Sequence, residues 1–392
     1  MRVQTASVLL GMVALVTGCS GAYMEGVDGG AGDADPGDAA AMDASEHGDA
    51  AAADGGTPGP RTVRVYVGRP DGDLVVHAIG ADGALAETSR TRTGHFPSFA
   101  ALAPDGRSMY VVQEGSAQVV ALAVEPGSGR TTVRNAQPSG GDAPTHVSLD
   151  REGRFALVAN FGAGTVRVFP IAGDGSLGAP VDTESPGANA HAIQVDRSNR
   201  WVLVPCRDAD RVVIYGLDAD TGALTLNATH RTASGAGPRH LAFDADGDRA
   251  YLVNEYGSSV DVLAFDPTAG TLDHLQTLST LPDGFSGSNT GSEILVHPSG
   301  RFVYASNRGH DSIAAFEIGG DGTLSARGHA LLMARTPRSM AITPDGARLY
   351  AGALEGGVVV RFAIGGDGAL SREGTTPSSS DPYFVGAFAI PD

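Results

Sequence analysis

Asp105-Gly106-Arg107-Ser108-Met109-Tyr110-Val111-Val112 (residues 105–112) reads as a tight turn, an arginine and an apolar strand. The pattern returns as Glu152-Gly153-Arg154, Ser198-Asn199-Arg200, Gly247-Asp248-Arg249, Ser299-Gly300-Arg301 and Gly346-Ala347-Arg348. Its turn positions, 106, 153, 199, 247, 300 and 346, lie 46 to 53 residues apart. A second signature, Gly-x-Leu, ends at Leu85, Leu177, Leu224, Leu272, Leu324 and Leu370. A degenerate copy at Gly129-Arg130-Thr131 makes seven. Between the signatures, segments such as Arg154–Ala159, Thr165–Phe169, Val212–Tyr215 and Ser259–Phe265 alternate with the period of two expected of strands. A repeat of roughly 40–50 residues with room for four short strands is a propeller blade. The fold class is therefore all-β, a seven-bladed β-propeller over residues 61–392. Val63–Arg69 has the register of a second strand, and Pro382–Ile390 that of a first strand. One blade is expected to be closed by the N- and C-terminal strands together, which removes an open edge.

Composition agrees with many short elements. The 392 residues include 55 Gly and 22 Pro, with no Gly-X-Y period, so collagen is excluded and a bundle of long helices disfavoured. A hydrophobic fraction of 42% needs a folded core. All 27 basic residues are Arg and the net charge is -18, opposite to the basic footprint of a nucleic-acid binder.

The first 60 residues read as an address. Arg2 precedes an apolar run from Val8 to Val16, too short for a mature membrane helix and typical of a signal peptide. Val16-Thr17-Gly18-Cys19 resembles the lipobox of bacterial lipoproteins. The expectation is a signal peptide over 1–18, lipidation at Cys19, and a disordered acidic Ala/Gly/Asp linker over 19–60. This places the protein in the bacterial cell envelope, held to a membrane by its lipid alone. Cys206 is then the only other cysteine, with no disulfide partner.

The repeat alignment also locates a site. Eight residues before each turn position stand Ser98, Thr145, His191, Arg239, Ser292 and Arg338, followed by Phe99, His146, Ala192, His240, Glu293 and Ser339. Eight residues after it stand Glu114, Phe161, Arg207, Glu255, Arg308 and Leu354, with Arg69 in the closing blade. In two copies Asp248 and Ala347 precede the arginine, which would allow this register to slip by one place. The start of a first strand and the end of a second share one face of the disc. Polar strand ends are ordinary in any propeller. The mixture of Arg, Glu and His suits an asymmetric anionic ligand better, because Arg clamps oxyanions and His and Glu move protons.

Pro238-Arg239-His240-Leu241, Asn254-Glu255, Ser292-Glu293-Ile294 and Ser306-Asn307-Arg308-Gly309-His310-Asp311-Ser312-Ile313 resemble the lactonase family of seven-bladed propellers. That family includes bacterial 6-phosphogluconolactonases and fungal carboxymuconate-lactonizing enzymes, and the resemblance runs from about residue 62 to the end. It implies catalytic roles for His191, Arg239, Glu255 and Arg308. His146, His240, Glu293, Arg338 and Glu114 are the expected substrate-binding residues around them. The implied reaction is opening of a sugar lactone. Two departures bear on the substrate: Asn189 replaces a second His common in the family, and Pro205-Cys206-Arg207-Asp208 differs from its usual acidic stretch. Lactone formation, and a non-catalytic surface-anchored binding propeller, are the alternatives. No metal or other cofactor is expected, since no compact motif such as His-Glu-x-x-His occurs. The expected partner is a small anionic or sugar lactone, bound by a monomer.

The address predicts that Cys19→Ser moves the full-length protein from the membrane to the soluble fraction on cell fractionation. A variant that stays membrane-bound would contradict lipid anchoring.

Overall fold

The computed structural model describes residues 59–392. The expected signal peptide, Cys19 and nearly all of the linker lie outside the described residues. Seven four-stranded antiparallel sheets make up the described residues. Numbered around the ring, blade one has Phe384–Pro391 as its inner strand, followed outward by Arg61–Gly68, Asp73–Ile79 and Leu85–Arg92. Blades two to seven begin with the inner strands Pro97–Leu102, Pro144–Leu149, Gln194–Val195, Pro238–Phe243, Thr290–Val296 and Pro337–Ile342. The C-terminal strand pairs residue by residue with the N-terminal one, from Arg61 opposite Pro391 to Gly68 opposite Phe384. The expected closure by both ends of the chain is what the structure contains. No helix among the described residues is long and apolar enough to cross a membrane.

The blades are fastened by one repeated contact. A large side chain on the second strand of each blade meets the glycine turn between the third and fourth strands of the next. Tyr66, Tyr110, Tyr251, Tyr304 and Tyr350 donate their hydroxyls to the carbonyls of Gly129, Gly175, Gly322, Gly368 and Gly83, at 2.7–3.1 Å. The last of these joins blade seven to blade one. Burial raises all five phenols, Tyr110 and Tyr350 to about 12, so they remain donors. In blade three Phe155 lies against Gly222, and in blade four Trp201 covers Gly270 and donates its indole N–H to Pro267 O at 2.8 Å.

These turns need glycine twice over. Gly368 has φ +79°, and a Cβ there would come 2.5 Å from the Phe302 ring. The aspartates before the glycines serve the same turns: Asp321 accepts from the N–H and hydroxyl of Thr323, and Asp174 from those of Ser176. Around this scaffold the second strands are almost wholly buried, while fourth strands such as Leu224–Arg231 turn one face to solvent.

Removing one of these hydroxyls with Tyr304→Phe should lower unfolding free energy by about 1 kcal/mol. Gly368→Ala should cost more, because strain and overlap add. Denaturant midpoints check both, and an unchanged midpoint in Gly368→Ala would contradict the packing described.

Candidate functional site

Six of the seven inner strands carry the same irregularity at their start. Pairing with the second strand shifts by one residue between Pro97 and Phe99, Pro144 and His146, Pro238 and His240, Gly291 and Ile294, and Pro337 and Ser339. It shifts likewise between Ala190 and Gln194, whereas the C-terminal strand of blade one pairs without a break. A bulge re-aims side chains beside the ladder. Here it brings neighbouring positions such as Arg239 and His240 to the same axial region.

Second-strand ends are held against these entries by backbone bonds. Glu114, Phe161, Arg207, Glu255 and Leu354 donate their N–H groups to the carbonyls of Phe96, Ala143, Asn189, Gly237 and Thr336. All five acceptors have positive φ, between 51° and 68°. Asn189 therefore occupies a left-handed turn position, which its short amide side chain suits. Cys206 is fully buried between blades, its thiol raised to about 12 by burial, and is a packing residue. No register slip follows Gly247 or Gly346: Tyr251 and Tyr350 stay in line with Tyr110, and only the arginine is displaced by one place.

Glu255 is the electrostatic centre. Its carboxylate accepts a hydrogen bond from Arg207 at 3.0 Å and is ion-paired with Arg239 and Arg308, each at 3.1 Å. Burial alone would raise Glu255, but Arg239, Arg308 and Arg207 together hold it below the usual carboxylate range. It is thus a fixed anion rather than a proton donor. Arg239 is 2% exposed and its NH1 is also bonded to Ser292 O at 2.7 Å. Burial, then the charge of Arg308, push its guanidinium down to about 9, so it keeps its charge near neutrality. Arg308 is lowered chiefly by burial and bonds Gly291 O at 2.9 Å.

Two further arginines have carboxylates of their own. Arg207 pairs with Asp208 at 2.8 Å and lies over the rings of Phe161 and Tyr256, at 4.4 and 5.0 Å. Arg338 meets Glu114 at 3.3 Å and stacks over Tyr383 at 4.0 Å, while Tyr383 donates to Glu114 at 2.9 Å. Arg239 and Arg308 share Glu255 in a buried place, and Glu293 is the further carboxylate whose charge reaches Arg239. That arrangement suits a ligand carrying, or developing, negative charge.

Beside them is a small pocket lined by His191, Arg239, His240, Glu293, Arg338 and Tyr383, among others. His191 is 5% exposed, and its Nδ1 meets no donor or acceptor of the protein. Burial first, and then Arg239, hold it well below the ordinary imidazole value, so it is neutral at pH 7 and able to accept a proton. Its ring lies 5.0 Å from that of His240, whose Nδ1 is 2.7 Å from Glu293 Oε1. The structure therefore brings together His191, Arg239, His240, Glu293 and Arg338 directly, and Glu255, Arg308 and Glu114 through ion pairs. His146 stands apart: it stacks on Phe99 at 4.0 Å and lines the deeper axial chamber, not this pocket.

Sequence reasoning left three contributors out. Arg207 was visible in the alignment, but nothing there showed that it joins Glu255. Tyr256 follows Glu255, and Tyr383 lies at the start of the segment read as a first strand, but the alignment marked neither position.

Residues 64–386 match the family described as lactonase, a seven-bladed β-propeller. The chain is 35% identical over 269 residues to the 6-phosphogluconolactonase of Pectobacterium carotovorum, covering 68% of this chain and 80% of that one. It is 36% identical to the 6-phosphogluconolactonase of Bacillus subtilis, over 60% of this chain and 70% of the relative. Among solved structures, the periplasmic gluconolactonase of Pseudomonas aeruginosa superposes with a TM-score of 0.76 at 27% identity, covering 84% of this chain and 99% of that one.

Glu255→Gln keeps the shape but leaves three guanidiniums without their shared anion. Unfolding free energy should fall by about 3 kcal/mol, and millimolar phosphate should restore part of it. A denaturant midpoint equal to wild type would contradict the assigned role.

Proposed function

The chain belongs to the lactonase family of seven-bladed β-propellers, and from that premise we propose that it hydrolyses a sugar lactone of the gluconolactone class at the arginine-lined mouth. The observation that carries this reading is the placement of a neutral, buried His191 beside the buried guanidiniums of Arg239 and Arg308. Ester opening needs both parts: a base for water and a positive site for the oxyanion. The names of the similar proteins, 6-phosphogluconolactonase and gluconolactonase, supply the substrate class.

In this mechanism Arg239 and Arg308 bind the lactone carbonyl and take up charge as it becomes an oxyanion. His191 accepts a proton as the oxygen of water bonds to the carbonyl carbon. The acyl C–O bond then breaks, and the imidazolium returns that proton to the departing ring oxygen, making a hydroxyl. The new carboxylic acid ionises and releases the other proton. Glu255 is a positioning residue that holds Arg239 and Arg308. Arg338 binds substrate hydroxyl or phosphate groups, backed by Glu114, and His240 with Glu293 orients the sugar from below. His146 acts only indirectly, through its ring contact with His240 at 5.4 Å.

An extracytoplasmic location agrees with the periplasmic relative and with the lipobox-like Val16–Cys19. We assign the protein to the cell envelope, as a monomer tethered by lipidated Cys19. An unphosphorylated lactone is the substrate expected there.

Purified protein lacking residues 1–58 should open glucono-lactone, 6-phosphogluconolactone or both faster than buffer, and muconolactones more slowly. His191→Ala should lower kcat about 100-fold or more with KM changed little. Because the active form is neutral and its pKa is depressed, the acid limb of kcat/KM should lie below pH 6.5. Wild-type rates equal to buffer for every lactone would overturn the function. An acid limb at or above pH 6.5 would overturn the role of His191.

A further inference from the structure

A second, larger chamber lies on the propeller axis behind the mouth pocket. Its walls are inner strands from mid-length toward the turn face, including Ala101, Pro104, Ser148, Asp150 and Gln194. Phe99, His240 and Glu293 line both cavities and form the partition between them. Counted at water centres, the chamber has about 120 Å³ and the mouth pocket about 10 Å³. One water needs roughly 10–15 Å³ by that measure. The pocket therefore has room for about one water, and the chamber for several.

Most of the chamber wall is apolar, from residues such as Leu102, Val147, Leu241, Ile294 and Phe388, but one side of it has a place for water. Ser148 is 8% exposed, and its buried hydroxyl has no hydrogen-bond partner in the protein. A buried hydroxyl facing a cavity of this size is satisfied by water. Beyond the partition, His191 Nδ1 is another buried polar atom without a protein partner. On the opposite side the pocket is roofed by Arg338 stacked on Tyr383 and tied to Glu114. A lactone seated on Arg239 and Arg338 would cover that approach, so bulk water would have to pass the ligand.

We propose that the water consumed in lactone opening reaches the mouth pocket along this axial chamber, from the turn face of the disc, and crosses the partition beside Phe99 to arrive at His191. The proposal rests on the hydrolase reading above and adds a separate route for the second reactant. Substrate and water enter from opposite faces, so a bound lactone does not shut out its own nucleophile. Ala101 and Gln194 line the chamber only, and both are half-buried. Neither belongs to the mouth.

The test narrows the chamber with Ala101→Phe and Gln194→Trp. It compares kcat and KM on glucono-lactone with the affinity for gluconate, the product acid. The route predicts a fall in kcat of about tenfold or more, with KM and gluconate affinity within about twofold of wild type. Wild-type kcat in both variants overturns it, and so does a fall in kcat accompanied by lost gluconate binding, which would report a distorted mouth. If neither bulky variant folds, Ser148→Ala decides: the route predicts a several-fold lower kcat at constant KM, and an unchanged kcat overturns it. Wild-type protein inactive on every lactone overturns the hydrolase reading and this route together. An active wild type with unaffected chamber variants overturns the route alone.

Discussion

Everything in this molecule depends on a ring that must close. No blade buries both of its faces alone; each packs on two neighbours. The repeated clasp of a second-strand aromatic on the next blade's glycine turn sets the spacing between them. Tyr350 on Gly83 carries it across the seam between blades seven and one, and the pairing of Arg61–Gly68 with Phe384–Pro391 makes that seam a continuous sheet. The residues lining the mouth pocket come from blades two to seven, with Tyr383 beside the inner strand of blade one. Their mutual distances are therefore properties of the closed ring, not of any one segment.

Closure also explains how so much charge can be buried at one end. Arg239 and Arg308 would be expensive to desolvate singly. Glu255 holds them, and one further donor of each bonds to the carbonyls of Ser292 and Gly291 on the inner strand of blade six. The Arg239–Ser292 bond and the Glu255–Arg308 ion pair tie blade five to blade six, so part of the site is also part of the scaffold. The result is two guanidiniums next to a neutral imidazole, the combination that ester opening requires.

The fold was legible because a propeller repeats its punctuation. Turn glycines, Gly-x-Leu corners and the half-blades at the two ends were enough to number the blades and pair the termini. The site was legible by position: the residues eight before and eight after each turn converge as the alignment implies. What did not show was geometry created by irregularity. The bulges that turn Arg239 and His240 toward the axis leave no mark in composition, so His146 was grouped with the mouth although it lines the deeper chamber. Asn189 stood in the sequence as a departure bearing on the substrate, and its φ of 58° places it at a left-handed turn. Arg207 was one arginine among many until Glu255 was seen to join it to Arg239 and Arg308. Tyr256 and Tyr383 lie just beyond strand ends, beside the positions that the alignment compared and not at them.

The measurement that bears most directly on this account is a crystal structure with the product sugar acid bound. The account predicts its carboxylate at Arg239 and Arg308, within hydrogen-bonding reach of His191, and its hydroxyls toward Arg338 and the His240–Glu293 pair. A sugar acid found only on the outer rim, with the mouth pocket left to solvent, would contradict it.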